Sequence, residues 1–218
     1  MSARPVIAVV DYGAGNLVSI HQALTTVGAD VRIAGDAAAL GDVDALIVPG
    51  VGAAGPAMRR LDSDGLTDPI AAWIAAGRPF LGICLGLQLL FEGSDEDGAT
   101  TLGVVPGRTV RLVDAPTLPH IGWNQVVRTR PHPLFEGIAD GADFYFVHSY
   151  VGAPPATEAT DADDDADDDL VLARTTHGRP FVSAVSRGAL LGVQFHPERS
   201  GPDGLRLLAN FVGLVRAA

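Results

Sequence analysis

The first half of the chain repeats one local plan: a short apolar run ends at glycine, and residues apolar at helical spacing follow. Val6 to Val10 form such a run before Gly13 and Gly15. Leu17, Ile20, Leu24 and Val27 then recur with a helical period until Gly28, a C-terminal stop. "DVRIAG" and "DALIVPG" read as two more short strands, the second ending at Pro49 and Gly50. "DPIAAWIAAG" reads as a helix with Pro69 in its first turn and Gly77 beyond its end. "PFLGI" is then a buried strand and "LGLQLLFEG" a short helix. Strands alternating with helices predict right-handed crossovers and an α/β fold: an open, mostly parallel sheet with helices on both faces. The second half changes character. "GVVPGRTVRLV", "ADFYFVHSYV", "PFVSAVSRG" and "ALLGVQFH" are strand-like pieces with short turns, which predicts antiparallel hairpin extensions. Leu205, Leu208, Val212 and Val215 mark an amphipathic closing helix.

A length of 218 residues fits one domain, expected to span 1–218, and a 47% hydrophobic fraction supplies a sizeable core. A single cysteine rules out an internal disulfide. Residues Met1 to Val10 lack the pattern of a signal peptide, and no apolar run approaches the roughly 20 residues that span a bilayer. The expected address is therefore cytoplasmic, with no membrane partner. The net charge of -11, with arginine as the sole basic residue type beside histidine, argues against nucleic acid as a partner. Between Ala153 and Leu170, seven aspartates from Asp161 to Asp169 repel one another, so a solvated, mobile acidic loop is expected over 153–170. Asp161, Asp163 and Asp165 imitate the start of a calcium loop, but Ala166 stands where such a loop needs glycine and Leu172 where it needs glutamate.

The lone thiol sits at a corner. Gly82-Ile83-Cys84-Leu85-Gly86 has the form of a nucleophile elbow, a strained strand-to-helix turn that needs small neighbours, with sulfur in place of oxygen. A helix starting at Leu85 would present N–H groups and a dipole that favour the thiolate and a developing oxyanion. Taken alone, the pentapeptide also fits a small core cysteine. A base is needed to decide, and "GVQFHPERSG" offers one. Pro197 biases His196 toward extended geometry, in which residues two apart share a side, so Glu198 can reach the imidazole and fix its tautomer. A carboxylate-held histidine is the base that a thiol nucleophile requires. Both Cys84 and His196 would lie beyond the carboxyl ends of strands, where parallel sheets gather functional groups. The other five histidines show no metal-ligand spacing with a second cysteine or carboxylate cluster, so no zinc or other metal site is expected, and no cofactor is expected either.

With elbow and H-P-E in place, the sequence resembles the class I, triad-type glutamine amidotransferases. "DYGAGN" (Asp11 to Asn16), "PGVGA" (Pro49 to Ala53), "GICLGLQLLFEGS" (Gly82 to Ser94), "HIGWN" (His120 to Asn124), "FVHSY" (Phe146 to Tyr150) and "GVQFHPERSG" (Gly192 to Gly201) carry the resemblance over nearly the whole chain except the acidic loop. The elbow and H-P-E specify only the wider family. "HIGWN", "FVHSY" and the "DYGAGN" start narrow it to glutaminase subunits of histidine biosynthesis. The resemblance implies hydrolysis of glutamine to glutamate and ammonia by Cys84, His196 and Glu198. It implies that a TIM-barrel cyclase, as a heterodimer partner, consumes the ammonia to make imidazole glycerol phosphate and aminoimidazole carboxamide ribotide.

The same resemblance implies an oxyanion hole from the backbone of Leu85 and of Val51 or Gly52, where glycines permit a peptide flip. It implies contacts to the glutamine substrate from Gln88, Glu96, His148, Ser149 and Tyr150. Gln88 lies one helical turn beyond Cys84, which lets it face the same cleft. Asn16, Trp123, Asn124 and Tyr145 are expected toward the cyclase. Arg199 departs from the family's usual lysine after H-P-E, and the acidic loop is a second departure. A glutaminase serving another acceptor, or a regulatory subunit that has lost the chemistry, are the competing readings.

Overall fold

A computed structural model describes residues 4–155 and 170–218; most of the expected acidic loop, residues 156–169, lies outside the described residues. In chain order the elements are β1 (Val6–Val10), α1 (Leu17–Thr26), β2 (Asp30–Ala34), β3 (Ala45–Gly50), α2 (Ala54–Ser63), α3 (Thr67–Ala75), β4 (Phe80–Cys84) and α4 (Leu85–Gln88). Strands β5 (Gly93–Ser94), β6 (Arg108–Arg111), β7 (His120–Arg128), β8 (Ala142–His148), β9 (Tyr150–Ala153), β10 (Val171–His177), β11 (Arg179–Arg187) and β12 (Leu190–Val193) follow, and α5 (Gly201–Ala217) closes the chain.

Nine strands form one sheet in the order β2-β1-β3-β4-β12-β11-β10-β7-β8. From β2 to β12 every neighbour is parallel, as the β-α alternation predicts, and from β12 to β8 every neighbour is antiparallel. Strands β5, β6 and β9 make a separate three-stranded sheet. The run "ADFYFVHSYV" is thus two strands that part at Ser149: β8 stays on the large sheet and β9 pairs with β6 on the small one.

Strand β1 shows how the sheet is covered. Ile7 and Val9 project to one face and pack with Ile20 and Leu24 of α1 and with Leu208, Phe211 and Val212 of α5. Ala8 and Val10 project to the other and pack with Met58 and Leu61 of α2 and Ile70 and Trp73 of α3. Period-two alternation in a strand buried on both sides needs helices on both faces, each buried apolar side chain contributing about 1.5–3 kcal/mol. Helix α1 starts at Asn16, whose side-chain oxygen accepts from the Ser19 backbone N–H at 3.2 Å, a capping bond.

The strand order fixes where chemistry can occur. β4 lies between β3 and β12, with Gly50 directly opposite Cys84. The carboxyl ends of β3, β4 and β12 therefore carry "PGVGA", the Cys84 turn and "QFHPE" side by side. None of the described helices is long and apolar enough to cross a membrane.

Candidate active site

Cys84 ends β4 with φ 54° and ψ -105°, a backbone conformation costly for any residue bearing a Cβ. The elbow persists because its surroundings leave no alternative. A Cβ on Gly82 would lie 2.6 Å from the Gly86 carbonyl oxygen, and one on Gly86 would lie 1.8 Å from that of Val48. α4 is only four residues long, so the dipole expected from "LGLQLLFEG" shrinks to a single turn; the chain leaves the helix at Leu89. Such a helix offers the N–H groups of one turn, not the field of a long helix.

His196 leaves β12 extended (φ -104°, ψ 90°), but Pro197–Arg199 then form a 3-10 turn. The expected contact forms all the same: His196 Nδ1 lies 2.9 Å from Glu198 Oε1. The reason differs from strand alternation, because the turn rather than a continuing strand folds the carboxylate back onto the ring. The backbone of His196 is held on both sides, its N–H donating to Tyr145 O at 2.8 Å and its carbonyl accepting from Ser200 Oγ at 2.6 Å. Both side chains of the pair are about 95% buried. Burial opposes a charge on the imidazole, but the Cys84 sulfur and then the Glu198 carboxylate favour the proton and outweigh it. The pKa is raised from 6.5 to about 10. Nε2 is buried and completes no hydrogen bond of good geometry among the described residues, a looseness common in substrate-free sites.

Cys84 opens onto a cavity of about 220 Å³. Val51, Gly52, Leu85, Gln88, Glu96, His148, Ser149 and Tyr150, all singled out from the sequence, line it together with Ala53, Pro119 and Val147. Gly52 has φ +100° and open space where a Cβ would stand, while Gly50 is crowded: a Cβ there would lie 2.0 Å from Tyr12 Oη. Glu96 is exposed at the rim, and partial burial followed by the charge of Asp97 raises its pKa.

The His148 imidazole turns into the protein. Its Nδ1 lies 3.0 Å from Tyr150 O, which only accepts, so Nδ1 carries the hydrogen. Nε2 must then accept from His120 Nδ1 at 3.0 Å, and His120 Nε2 in turn accepts from Asn124 Nδ2 at 3.1 Å. One backbone carbonyl thus sets the tautomer of two histidines. Burial and then the neighbouring imidazoles lower His148 to about 3 and His120 to about 4, so both are neutral near pH 7.

The residues expected toward a partner divide. Trp123 and Tyr145, opposite one another on β7 and β8, touch edge to face at 6.1 Å, and Arg199 stacks over the Tyr145 ring at 4.3 Å. Trp123 is 57% exposed, with Ile121 and Val127 on the same face also exposed. Asn16 is exposed but occupied as a helix cap, and the Asn124 side chain is committed to His120 and Thr176.

Sequence reasoning missed three side chains that the fold brings in. Tyr12, 2% exposed, donates to Pro49 O at 2.8 Å and so braces the strand end before "GVGA"; burial, and then the charge of Cys84, raise its pKa. His120 stacks on Phe146 and His177. Gln194, fully buried, reaches the Cys84 sulfur at 3.5 Å. The signal was a polar residue inside an otherwise apolar strand exit, two positions before His196.

Comparison with known proteins gives a consistent answer. Residues 8–214 match the family model described as glutamine amidotransferase class-I. The chain is 46% identical over 212 residues to the imidazole glycerol phosphate synthase subunit HisH of Symbiobacterium thermophilum, covering 96% of this chain and 94% of that one. It is 43% identical to the protein of the same name from Methanothermobacter thermautotrophicus, covering 97% and 100%. Among solved structures, that of PurLQS from Thermotoga maritima superposes with a TM-score of 0.72 at 19% identity, covering 97% of this chain and 99% of that one. A crystal structure of a glutamine amidotransferase superposes with a TM-score of 0.69 at 22% identity, covering 96% and 98%.

Proposed function

The chain belongs to the class I glutamine amidotransferases, and from that membership we propose how its own residues carry out the reaction. It is a glutaminase subunit of an imidazole glycerol phosphate synthase, hydrolysing glutamine to glutamate and ammonia for histidine biosynthesis. We read residues 1–218 as one such domain, working in the cytoplasm.

The Cys84 thiolate attacks the carboxamide carbon of glutamine held in the cavity. The oxygen takes up negative charge and is met by the Leu85 N–H and by an N–H from Val51 or Gly52 once that peptide turns inward. Gly52 already has a positive φ, a conformation that glycine adopts without strain, so this stretch has the backbone freedom such a flip needs. The charged His196 gives its Nε2 proton to the departing ammonia as the C–N bond breaks, and a thioester to Cys84 remains. Neutral His196 then takes a proton from water, whose oxygen attacks the thioester; glutamate leaves and the thiolate and imidazolium are restored. Glu198 holds the ring through Nδ1 and stabilises its charged form. Gln88, Glu96 and the backbone of His148-Ser149-Tyr150 hold the amino-acid end of the substrate.

The observation that carries this reading is the buried Glu198–His196 pair beside a strained cysteine that opens onto the cavity. The ammonia goes to a cyclase subunit built on a TIM barrel. The exposed Ile121, Trp123 and Val127, with Tyr145 and Arg199, offer the apolar, cationic face against which it docks. Ammonia release from glutamine, measured with and without the cyclase and its nucleotide ligand, tests the assignment. Release that depends on the partner is expected; a chain that releases none in either state, while correctly folded, overturns it.

A further inference from the structure

We propose that Gln194 is a catalytic residue: its side-chain amide donates a hydrogen bond to the Cys84 sulfur and stabilises the thiolate in both halves of the glutaminase reaction. The proposal rests on Cys84 being the nucleophile, as argued above.

The geometry fixes which end of the amide faces the sulfur. Tyr150 O can only accept, so the nitrogen of Gln88 that lies 2.9 Å from it is an NH2 group donating to it. The same nitrogen lies 3.2 Å from Gln194 Oε1, which accepts its second hydrogen. Gln194 Nε2 is thereby turned to Cys84 Sγ at 3.5 Å, within the range of an N–H···S bond. Gln194 is 0% exposed, so no water can replace these partners. Its own backbone N–H is pinned to Ser183 O at 2.9 Å. Gln194 and His196, two apart just beyond β12, both face the sulfur, one as a neutral donor and the other as the titrating group.

The contact discriminates between protonation states. The neutral thiol has an acceptor at Val147 O, 3.8 Å away, and once the proton leaves that contact turns repulsive. The Gln194 N–H then changes from a weak contact to a charge-assisted bond, and such bonds are roughly twice as strong as neutral ones. The same N–H meets the sulfur again when it leaves the thioester as thiolate.

Cys84 is the sole cysteine, so alkylation by iodoacetamide reports on it alone and needs neither glutamine nor the cyclase. In Gln194→Met, which keeps the length and removes the donor, the midpoint of the alkylation rate against pH should move up by about one unit, as the charged-over-neutral difference implies. Glutamine kcat with the cyclase bound should fall about tenfold with KM within twofold. Gln194→Glu, isosteric but without a donor when ionised, should move the midpoint at least as far. A purely structural role would lower thermal stability and leave the pH profile in place. Should the Gln194 variants not fold, Gln88→Leu, which frees the Gln194 amide to turn, should still shift the midpoint upward. A profile superimposable on wild type in the folded variant overturns the proposal and leaves Cys84's role intact. Glutamine turnover by Cys84→Ala would instead overturn the nucleophile reading.

Discussion

Replacing Gly86 with alanine places a methyl group inside the backbone of the neighbouring strand. The new Cβ would lie 1.8 Å from the carbonyl oxygen of Val48 and 2.8 Å from its carbon. Carbon and oxygen meet comfortably no closer than about 3.3 Å, so the overlap is roughly 1.5 Å. Neither side can give. Val48 lies in β3, paired to β1 on one side and β4 on the other, and Gly86 follows the strained φ of Cys84. Overpacking a core costs about 1–3 kcal/mol when flexible side chains can move; with backbone on both sides the cost belongs at or above the upper end, about 3 kcal/mol. In a domain of this size each kcal/mol lowers Tm by about 2–4 °C, which gives a fall of roughly 6–12 °C. Gly213 is the control. It sits exposed in α5 with nothing within 4 Å of a new Cβ, so alanine there should add up to about 1 kcal/mol and raise Tm by a few degrees. Thermal unfolding followed by circular dichroism reads both variants. A Gly86→Ala protein melting within about 2 °C of wild type would refute the reasoning that packing against β3 locks the elbow.

Three further outcomes follow from the site. Gly52→Ala meets open space and is strained only through its φ of +100°, so it should cost about 1–2 kcal/mol of stability yet impair glutamine turnover with the cyclase bound. Wild-type kinetics would remove the peptide flip from the mechanism. Glu198→Gln keeps an acceptor for His196 Nδ1 but removes the charge that helps raise its pKa to about 10. kcat should fall about 10²-fold and the alkaline limb of the rate profile should move to lower pH; an unmoved limb contradicts this. His148 and His120, lowered from 6.5 to about 3 and 4, bind protons below pH 6.5 in the unfolded chain but not in the fold. Their contribution is therefore complete above pH 6.5 and is lost on acidification from there down to about pH 3, with up to two protons taken up on unfolding. Denaturant titrations from pH 7 to pH 5 that show no loss of stability would contradict the reading of His148 and His120 as neutral, buried imidazoles.

Much of this arrangement is readable from residue order because the signals are local. The parallel strands announce themselves as apolar runs ending in glycine, and the Cys84 elbow is a pentapeptide. His196 and Glu198 are close enough in sequence that either an extended chain or the observed 3-10 turn brings them together, which is why the contact was legible although its geometry was not. Helix α2 was not. Its buried face is Ala54, Gly55, Ala57, Met58 and Leu61, mostly small side chains that leave almost no periodic hydrophobic signal. The split of "ADFYFVHSYV" between two sheets depends on β6, more than thirty residues earlier, so no local pattern reports it. Gln194 and Tyr12 escaped notice for the same reason. Each acts on a group that only the strand order places beside it: the sulfur at the end of β4 for one, the Pro49 carbonyl at the end of β3 for the other.

The central claim is that the Cys84 sulfur bonds covalently to the substrate. Acid-quenched turnover of glutamine by the chain with its cyclase, followed by mass spectrometry of the peptide containing Cys84, tests it most directly. The account predicts a glutamyl adduct on that peptide, absent from Cys84→Ala together with the ammonia. Steady ammonia release with no adduct, undiminished in Cys84→Ala, would contradict it.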